Sequence, residues 1–369
     1  MQIADVIRER GPLTVAAFMD LALYDSELGY YARAARRSGR AGDFFTSVDV
    51  GSLFGEMLEV QLAEIFQSAE FRLQTSDLVE VGAGNGRLSA DILHAAQRRD
   101  RAFYESIHLH LVEASADARA AQAATLGEAA DRLASSGPAL PESFEGVLIA
   151  NELLDALPVH QVVMRTDGLR EVYVTTNDQR LTTMEGPPST PALAEYLARL
   201  GVTLEPGWRV EINLRAVEWI GDAARRLRRG VIILIDYGHD ARELYSPAHS
   251  TGTLTTFVKH RSGGPEGSPD APPWLQQPGE QDLTAHVDFT SVQAAAAAEG
   301  LTTIGFLDQT YFLMGLLGGL SDPHAAIRNP QFKTLMMPGG MGSTHKVLIL
   351  GKGVGAPALR GCSFKVRVT

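Results

Sequence analysis

Residues 77–99 read DLVEVGAGNGRLSADILHAAQRR, and the rest of the chain can be laid out from them. Leu78, Val79 and Val81 make a short buried strand, which runs into a glycine-rich turn and then a helical run. Glycines at 82, 84 and 86 let the backbone bend sharply and approach a ligand closely. The helix that follows begins with N–H groups that no helical carbonyl satisfies. Spacing disfavours one ligand class and excludes another. A dinucleotide turn, G-x-G-x-x-G, needs its third glycine where Arg87 stands, and a P-loop needs a lysine that is absent here.

Further strands follow downstream. IHLHLVEAS (107–115), FEGVLIANELLDALP (144–158) and GVIILIDYG (230–238) each hold a short apolar run ending in polar residues, and helical runs separate them. Such alternation predicts a mostly parallel sheet with helices on both faces. LTTIGFLDQ (301–309) and HKVLILGK (345–352) read as two last strands. No helix is obvious directly before the final one, so an antiparallel member is expected.

Three regions stand apart from this pattern. Residues 1–76 read as helical, with Thr14 as N-cap of TVAAFMDLALYD and a long glycine- and arginine-rich loop at 29–47. Residues 159–208 interrupt the alternation with a hairpin signal, VHQVVMRTDGLREVYVTTN, followed by a helix. Residues 353–369 form a tail with no pattern. The expected organisation is therefore an N-terminal helical region (1–76), a Rossmann-like domain (77–158 and 209–352), an insertion (159–208) suited to binding substrate, and the tail.

Composition narrows the function classes. With 369 residues and 45% hydrophobic content the chain can bury a full core. A formal net charge of −11 disfavours a general nucleic-acid binder, which needs Lys and Arg for phosphates. Cys362 is the single cysteine, which excludes a disulfide framework and a cysteine-based zinc site. No H-x-x-x-H pair is present, so no metal is expected. No apolar run reaches the length of a membrane span. The charged start, MQIADVIRERG, matches neither a signal nor a transit peptide, and the expectation is a cytoplasmic protein.

The pattern E-x-G-x-G-x-G at Glu80–Gly86 resembles motif I of class I S-adenosyl-L-methionine-dependent methyltransferases. That resemblance implies a cofactor site formed by Glu80, Gly82, Gly84, Asn85 and Gly86. Glu113, at the end of the next strand, stands where that family binds the ribose, and a carboxylate accepts two hydroxyl protons at once. Asn151 and Glu152 end the third strand, at the edge where open α/β sheets bind ligands. They also read as a helix N-cap and first-turn acid. Thr46 and Ser47 supply hydroxyls from the loop, and Phe44 or Phe45 would either cover the cofactor or anchor the loop.

Across residues 10–352 the chain resembles the MidA-like proteins, which include the mitochondrial complex I assembly-factor arginine methyltransferase. The resemblance rests on GYY (29–31), GDFFTS (42–47), LFGE (53–56), EVGAGNG (80–86), NELLDALP (151–158), IDYG (235–238), TLTTFVKH (253–260), DLTAHVDF (282–289) and MGSTHKVL (341–348), in that order. Asn85 departs from the arginine common there, and MGSTHK departs from MGE-x-FK. The resemblance implies methylation of an arginine in a protein substrate, of the complex I subunit type in mitochondrial relatives. A small-molecule methyltransferase and a non-catalytic cofactor-binding assembly factor are the alternatives. The oligomeric state is not set by the sequence, and a homodimer is compatible with it.

Arginine is protonated at physiological pH, so a carboxylate must orient it and an acceptor must take its proton. Glu152 and Asp155 are the carboxylate candidates, and His286 is the candidate acceptor. If DLTAHVDF is extended, Asp282, Thr284, His286 and Asp288 share one face and Asp282 and Asp288 line a substrate cleft. Asp288 also reads as the cap of the next helix, with His286 simply hydrogen-bonded. Asp236 and Tyr237 end the fourth strand as further substrate-site candidates.

Overall fold

The computed structural model describes residues 2–31, 46–177, 180–258, 261–263, 272–337 and 341–364. Phe44 and Phe45 lie outside the described residues, as does most of the 29–47 loop. By contacts the chain divides into two compact units. One holds residues 46–153, 220–237 and 293–369; the other holds 1–45, 154–219 and 238–292. This grouping cuts across the four-part organisation expected above.

The first of these units is built on seven strands of an eight-stranded sheet. Its strands are β1 (Asp77–Val81), β2 (His108–Val112), β3 (Leu133–Gly137), β4 (Phe144–Asn151), β5 (Leu227–His239), β6 (Thr302–Asp308) and β7 (His345–Lys352). They lie in the order β6-β7-β5-β4-β1-β2-β3. β1 through β5 run parallel, and only the pairs made by β7 are antiparallel. The continuous apolar run of β4 and the Ile-rich run of β5 are buried along nearly their whole length, as strands covered on both faces must be. This is the α/β class I S-adenosyl-L-methionine methyltransferase fold, with a mixed, mostly parallel sheet.

Two glycines set the middle of that sheet. Gly146 on β4 has φ +153 and Gly230 on β5 has φ +136. The two are partners in register. A Cβ on Gly146 would lie 2.1 Å from the Asp77 carbonyl oxygen, and one on Gly230 would lie 1.9 Å from that of Gly146. Neither strand could keep its spacing with a larger residue. Helices Leu53–Gln67 and Arg87–Arg99 pack their apolar faces into the same core, through Phe54, Met57, Leu58, Leu88 and Leu93.

The other unit holds a five-stranded antiparallel sheet. Its strands are Leu13–Thr14, Gly168–Asn177, His160–Arg165 and Arg209–Ile212, with Arg180–Gly186 on the outer side of Gly168–Asn177. The expected hairpin is here, turning between Arg165 and Gly168. Thr14 caps the helix Val15–Tyr24 by accepting the Ala17 N–H at 3.1 Å. Phe18, Trp274 and Leu283 share one apolar cluster.

One expectation fails in this unit. DLTAHVDF is not a single strand with a polar face. Asp282–Thr284 pairs with Thr255–Phe257, and Val287–Asp288 pairs with Gly238–His239. The chain changes partner at Ala285–His286, so alternation cannot persist through it. Asp282, Thr284 and Asp288 are all buried together with Leu283, Ala285 and Val287. Among the described residues no helix is long and apolar enough to cross a membrane.

Candidate functional site

Because β1, β2, β4 and β5 are parallel, their carboxyl ends lie along one edge of the sheet. β7 runs the other way, so its first residue arrives at that same edge, with His345 paired to Tyr237. Glu80 lies in β1 and the other motif residues follow it, while Glu113 follows β2, Asn151–Glu152 close β4, and Asp236–Tyr237 lie near the end of β5.

The glycine turn is built by positive backbone angles, with φ +71 at Gly82, +51 at Gly84 and +84 at Gly86. Gly82 and Ala83 donate to the Val112 carbonyl, which fastens the turn to β2. A Cβ at Gly82 would meet Leu153 at 3.2 Å, and one at Gly86 would meet Leu111 at 3.2 Å. At Gly84 a Cβ would meet nothing within 4 Å. A Cβ would thus be crowded at Gly82 and Gly86, whereas Gly84 faces open space. Asn85 accepts the Arg87 N–H through Oδ1 at 3.3 Å and so serves the helix start.

Glu113 holds the turn in place. Its Oε2 accepts the Gly84 N–H at 2.8 Å and its Oε1 accepts the Ser115 N–H at 2.8 Å. Each oxygen keeps a further lone pair, which is what a pair of ribose hydroxyls would need. Gln122 supports the turn from below and was not singled out from the sequence. It is 1% exposed, donates to the Gly84 carbonyl at 2.9 Å and accepts from Ser136 at 2.6 Å. A glutamine on the buried face of helix Ala116–Leu126 was the available signal.

Glu80 also has a structural partner. It is buried and accepts both the main-chain N–H and the hydroxyl of Ser89, latching β1 to the helix Arg87–Arg99. Burial pushes its carboxyl up to about 7, with the Glu113 and Asp91 charges adding to the rise and the Ser89 bonds opposing it.

Glu152 carries the most unusual chemistry of the edge. It is a non-glycine residue at φ +50, in the left-handed region. Its side chain is 4% exposed. Oε1 accepts the Ser47 N–H at 3.0 Å and the Asn151 Nδ2 at 3.2 Å. Oε2 is buried with no hydrogen-bond partner, and so is Oδ1 of Asn151. His345 brings Nε2 to 3.6 Å from Oε1, while its Nδ1 lies 2.9 Å from the Met341 carbonyl. The Tyr237 ring packs on His345 with centroids 3.9 Å apart. His345 was quoted from the sequence only within MGSTHKVL; the signal for its role is its register opposite Tyr237.

Other candidates take supporting places here. Asp236, 1% exposed, accepts the Leu153 N–H at 3.1 Å and the Tyr237 N–H at 2.8 Å, shaping the strand ends. Thr46 donates from N and Oγ1 to Asp49 at 3.1 and 3.0 Å, as the cap of helix Ser47–Val50. Ser47 is fully buried, with its hydroxyl 3.4 Å from the Met341 sulfur.

In the other unit, Asp155 is 3% exposed and its carbonyl accepts the Ala285 N–H at 3.0 Å. Asp282 accepts the Tyr31 hydroxyl at 3.0 Å and the Leu283 N–H at 2.9 Å. Asp288 caps the helix Phe289–Ala298, accepting Thr290 N, Ser291 N and the hydroxyls of Ser291 and Tyr196. His286 has its main chain held by Thr253 at 3.1 Å. Burial, reinforced by His239 and His249, lowers its pKa to about 4, so it is neutral at pH 7 and a weak base.

The sheet order and this edge define a class I S-adenosyl-L-methionine-dependent methyltransferase. The chain belongs to the family described as "Putative S-adenosyl-L-methionine-dependent methyltransferase", whose model matches residues 57–307. It is 30% identical over 338 residues to the mouse protein arginine methyltransferase NDUFAF7, mitochondrial, covering 84% of this chain and 72% of that one. It is 29% identical to the Drosophila melanogaster homologue, covering 96% and 84%. It is also similar to a solved structure from Burkholderia thailandensis, titled "a COG1565 superfamily member and likely methyl transferase" and bound to S-adenosyl-homocysteine. That match has 28% identity and a TM-score of 0.83, covering 99% of this chain and 94% of that one. The cofactor read from the glycine turn is that of the family.

Proposed function

We propose that this protein transfers a methyl group from S-adenosyl-L-methionine to an arginine side chain of a protein substrate, with Glu152 as the residue that receives the guanidinium. The observation that carries the reading is the state of Glu152. A buried acceptor left without a partner costs about 1–3 kcal/mol, and a strained left-handed residue costs about as much again. Both fall on one carboxylate at the ligand edge of the sheet. Such costs persist where a site is organised for something that arrives later.

The residues fit the cofactor. Open space lies at Gly84, and Glu113 keeps acceptor capacity beside it. When bound, the cofactor supplies an electrophilic methyl group on a sulfonium. The chain's own residues then have to present the nucleophile in line with it, which is chiefly positioning. Ser47 and Asn151 occupy Oε1 of Glu152, which leaves the buried Oε2 as the oxygen to pair with the cation. A guanidinium N–H donating to Oε2 is fixed in orientation, and the carboxylate holds positive charge on that nitrogen. The nitrogen left outside that contact becomes the better nucleophile, and the proton it loses on methylation passes to water. Relatives named as protein arginine methyltransferases support this choice of substrate class, and the net charge of −11 suits a cationic one.

Incubation with methyl-labelled S-adenosyl-L-methionine and a host lysate tests the reading. Label in protein, recovered as methylarginine after hydrolysis, is the expected result. Label confined to small molecules, or none, would remove it.

A further inference from the structure

Three histidines far apart in sequence come together in the unit that contains residues 238–292. His239 follows Gly238 at a strand end, His249 sits in the short turn Pro247–His249, and His286 lies where the chain changes strand partners. One ligand nitrogen from each lies within 4.8 Å of the others. Their ring centroids are 4.8, 5.2 and 5.8 Å apart.

One residue organises two of the rings. His249 Nδ1 is hydrogen-bonded to the Glu243 main-chain carbonyl at 3.0 Å. His239 Nδ1 lies 3.0 Å from the Glu243 carboxylate. The carbonyl on His249 Nδ1 sets the tautomer that carries its lone pair on Nε2, the arrangement usual for metal-ligating histidines, and the Glu243 carboxylate lies beside His239. The third ring is held from behind. His286 N donates to Thr253 Oγ1, which in turn donates to the buried Glu211 at 3.0 Å. Nδ1 of His286 is buried without a hydrogen-bond partner.

We propose that His239, His249 and His286 form a three-histidine site for a divalent ion of the zinc class, with Glu243 as the outer group that orients two of the rings. Three neutral imidazoles and no thiolate suit Zn²⁺, with Cu²⁺ and Ni²⁺ as competitors and Mg²⁺ and Ca²⁺ excluded by ligand type. Tetrahedral zinc holds its nitrogens roughly 3.4 Å apart, so the rings close inward by about 1 Å on binding. His239 and His249 are only partly buried and can make that shift. The fourth position is left to water or to the Glu243 carboxylate. This inference is independent of the methyl-transfer reading.

Chelator-treated protein titrated with Zn²⁺ alone, against a chromophoric competitor, tests it. The expected result is one equivalent bound, with affinity weakened about tenfold or more by His249→Ala and by Glu243→Gln. Both positions are at least partly exposed, and circular dichroism confirms that each variant folds. Failure of folded wild type to bind Zn²⁺ in competition overturns the proposal. So does an affinity that His249→Ala leaves unchanged, which would assign the ion to other histidines.

Discussion

Replacing Glu152 by glutamine separates the two things this residue does. In the resting protein its Oε1 accepts from Ser47 and Asn151 at 3.0 and 3.2 Å. Making both bonds neutral loses about 1 kcal/mol each. Removing a buried, half-satisfied carboxylate recovers a comparable amount. The net change in stability is therefore small, within about 2 kcal/mol, and urea unfolding should show it so. The effect on turnover is of another size. Deleting the charge that pairs a buried guanidinium is worth about 3 kcal/mol or more, roughly a hundredfold in rate. Glu152→Gln should thus fold normally, bind S-adenosyl-homocysteine as the wild type does by calorimetry, and lose about two orders of magnitude in label transfer to protein. A folded variant that transfers label as fast as the wild type would refute the reasoning.

Two further outcomes follow from the same unit. Glu80 titrates near 7 in the folded chain against 4.5 unfolded, so between those values the folded state holds a proton that the unfolded state has released. Stability should fall as pH rises through that window, by on the order of 3 kcal/mol at most, and level off above it. Urea unfolding at pH 5 and pH 7.5 should show Glu80→Gln with a shallower slope than the wild type, and an identical slope would contradict the assignment. Gly146→Ala forces a Cβ to 2.1 Å from the Asp77 carbonyl at φ +153. A loss of about 3 kcal/mol or more is expected, and a neutral substitution in thermal unfolding would show that β1 and β4 are spaced otherwise.

What was legible in advance was what local pattern encodes. The run from Asp77 to Arg99 announced strand, turn and helix, because apolar spacing and glycine position are local properties. Glu113 and Asn151–Glu152 could be placed by counting to strand ends, since a parallel sheet sends all such ends to one edge. Non-local arrangements escaped. DLTAHVDF alternates cleanly yet splits at Ala285–His286, because Thr255–Phe257 and Gly238–His239 each claim half of it. Asp236 reads from the sequence as shaping the site, and the structure adds that it accepts two backbone N–H groups; the latch from Glu80 to Ser89 was not legible in the sequence. His345 met Glu152 only through the antiparallel β7. The histidines at 239, 249 and 286 have no spacing signature, as their meeting depends on the pairing of Val287–Asp288 with Gly238–His239.

Binding of S-adenosyl-homocysteine, measured by calorimetry on the wild type and on Glu113→Ala, tests the cofactor site most directly. One equivalent should bind the wild type. The variant should bind at least about tenfold more weakly, since two charge-assisted bonds to hydroxyls are lost. A wild type that gives no heat, or a Glu113→Ala variant that binds as tightly, would contradict the site built here around Gly84.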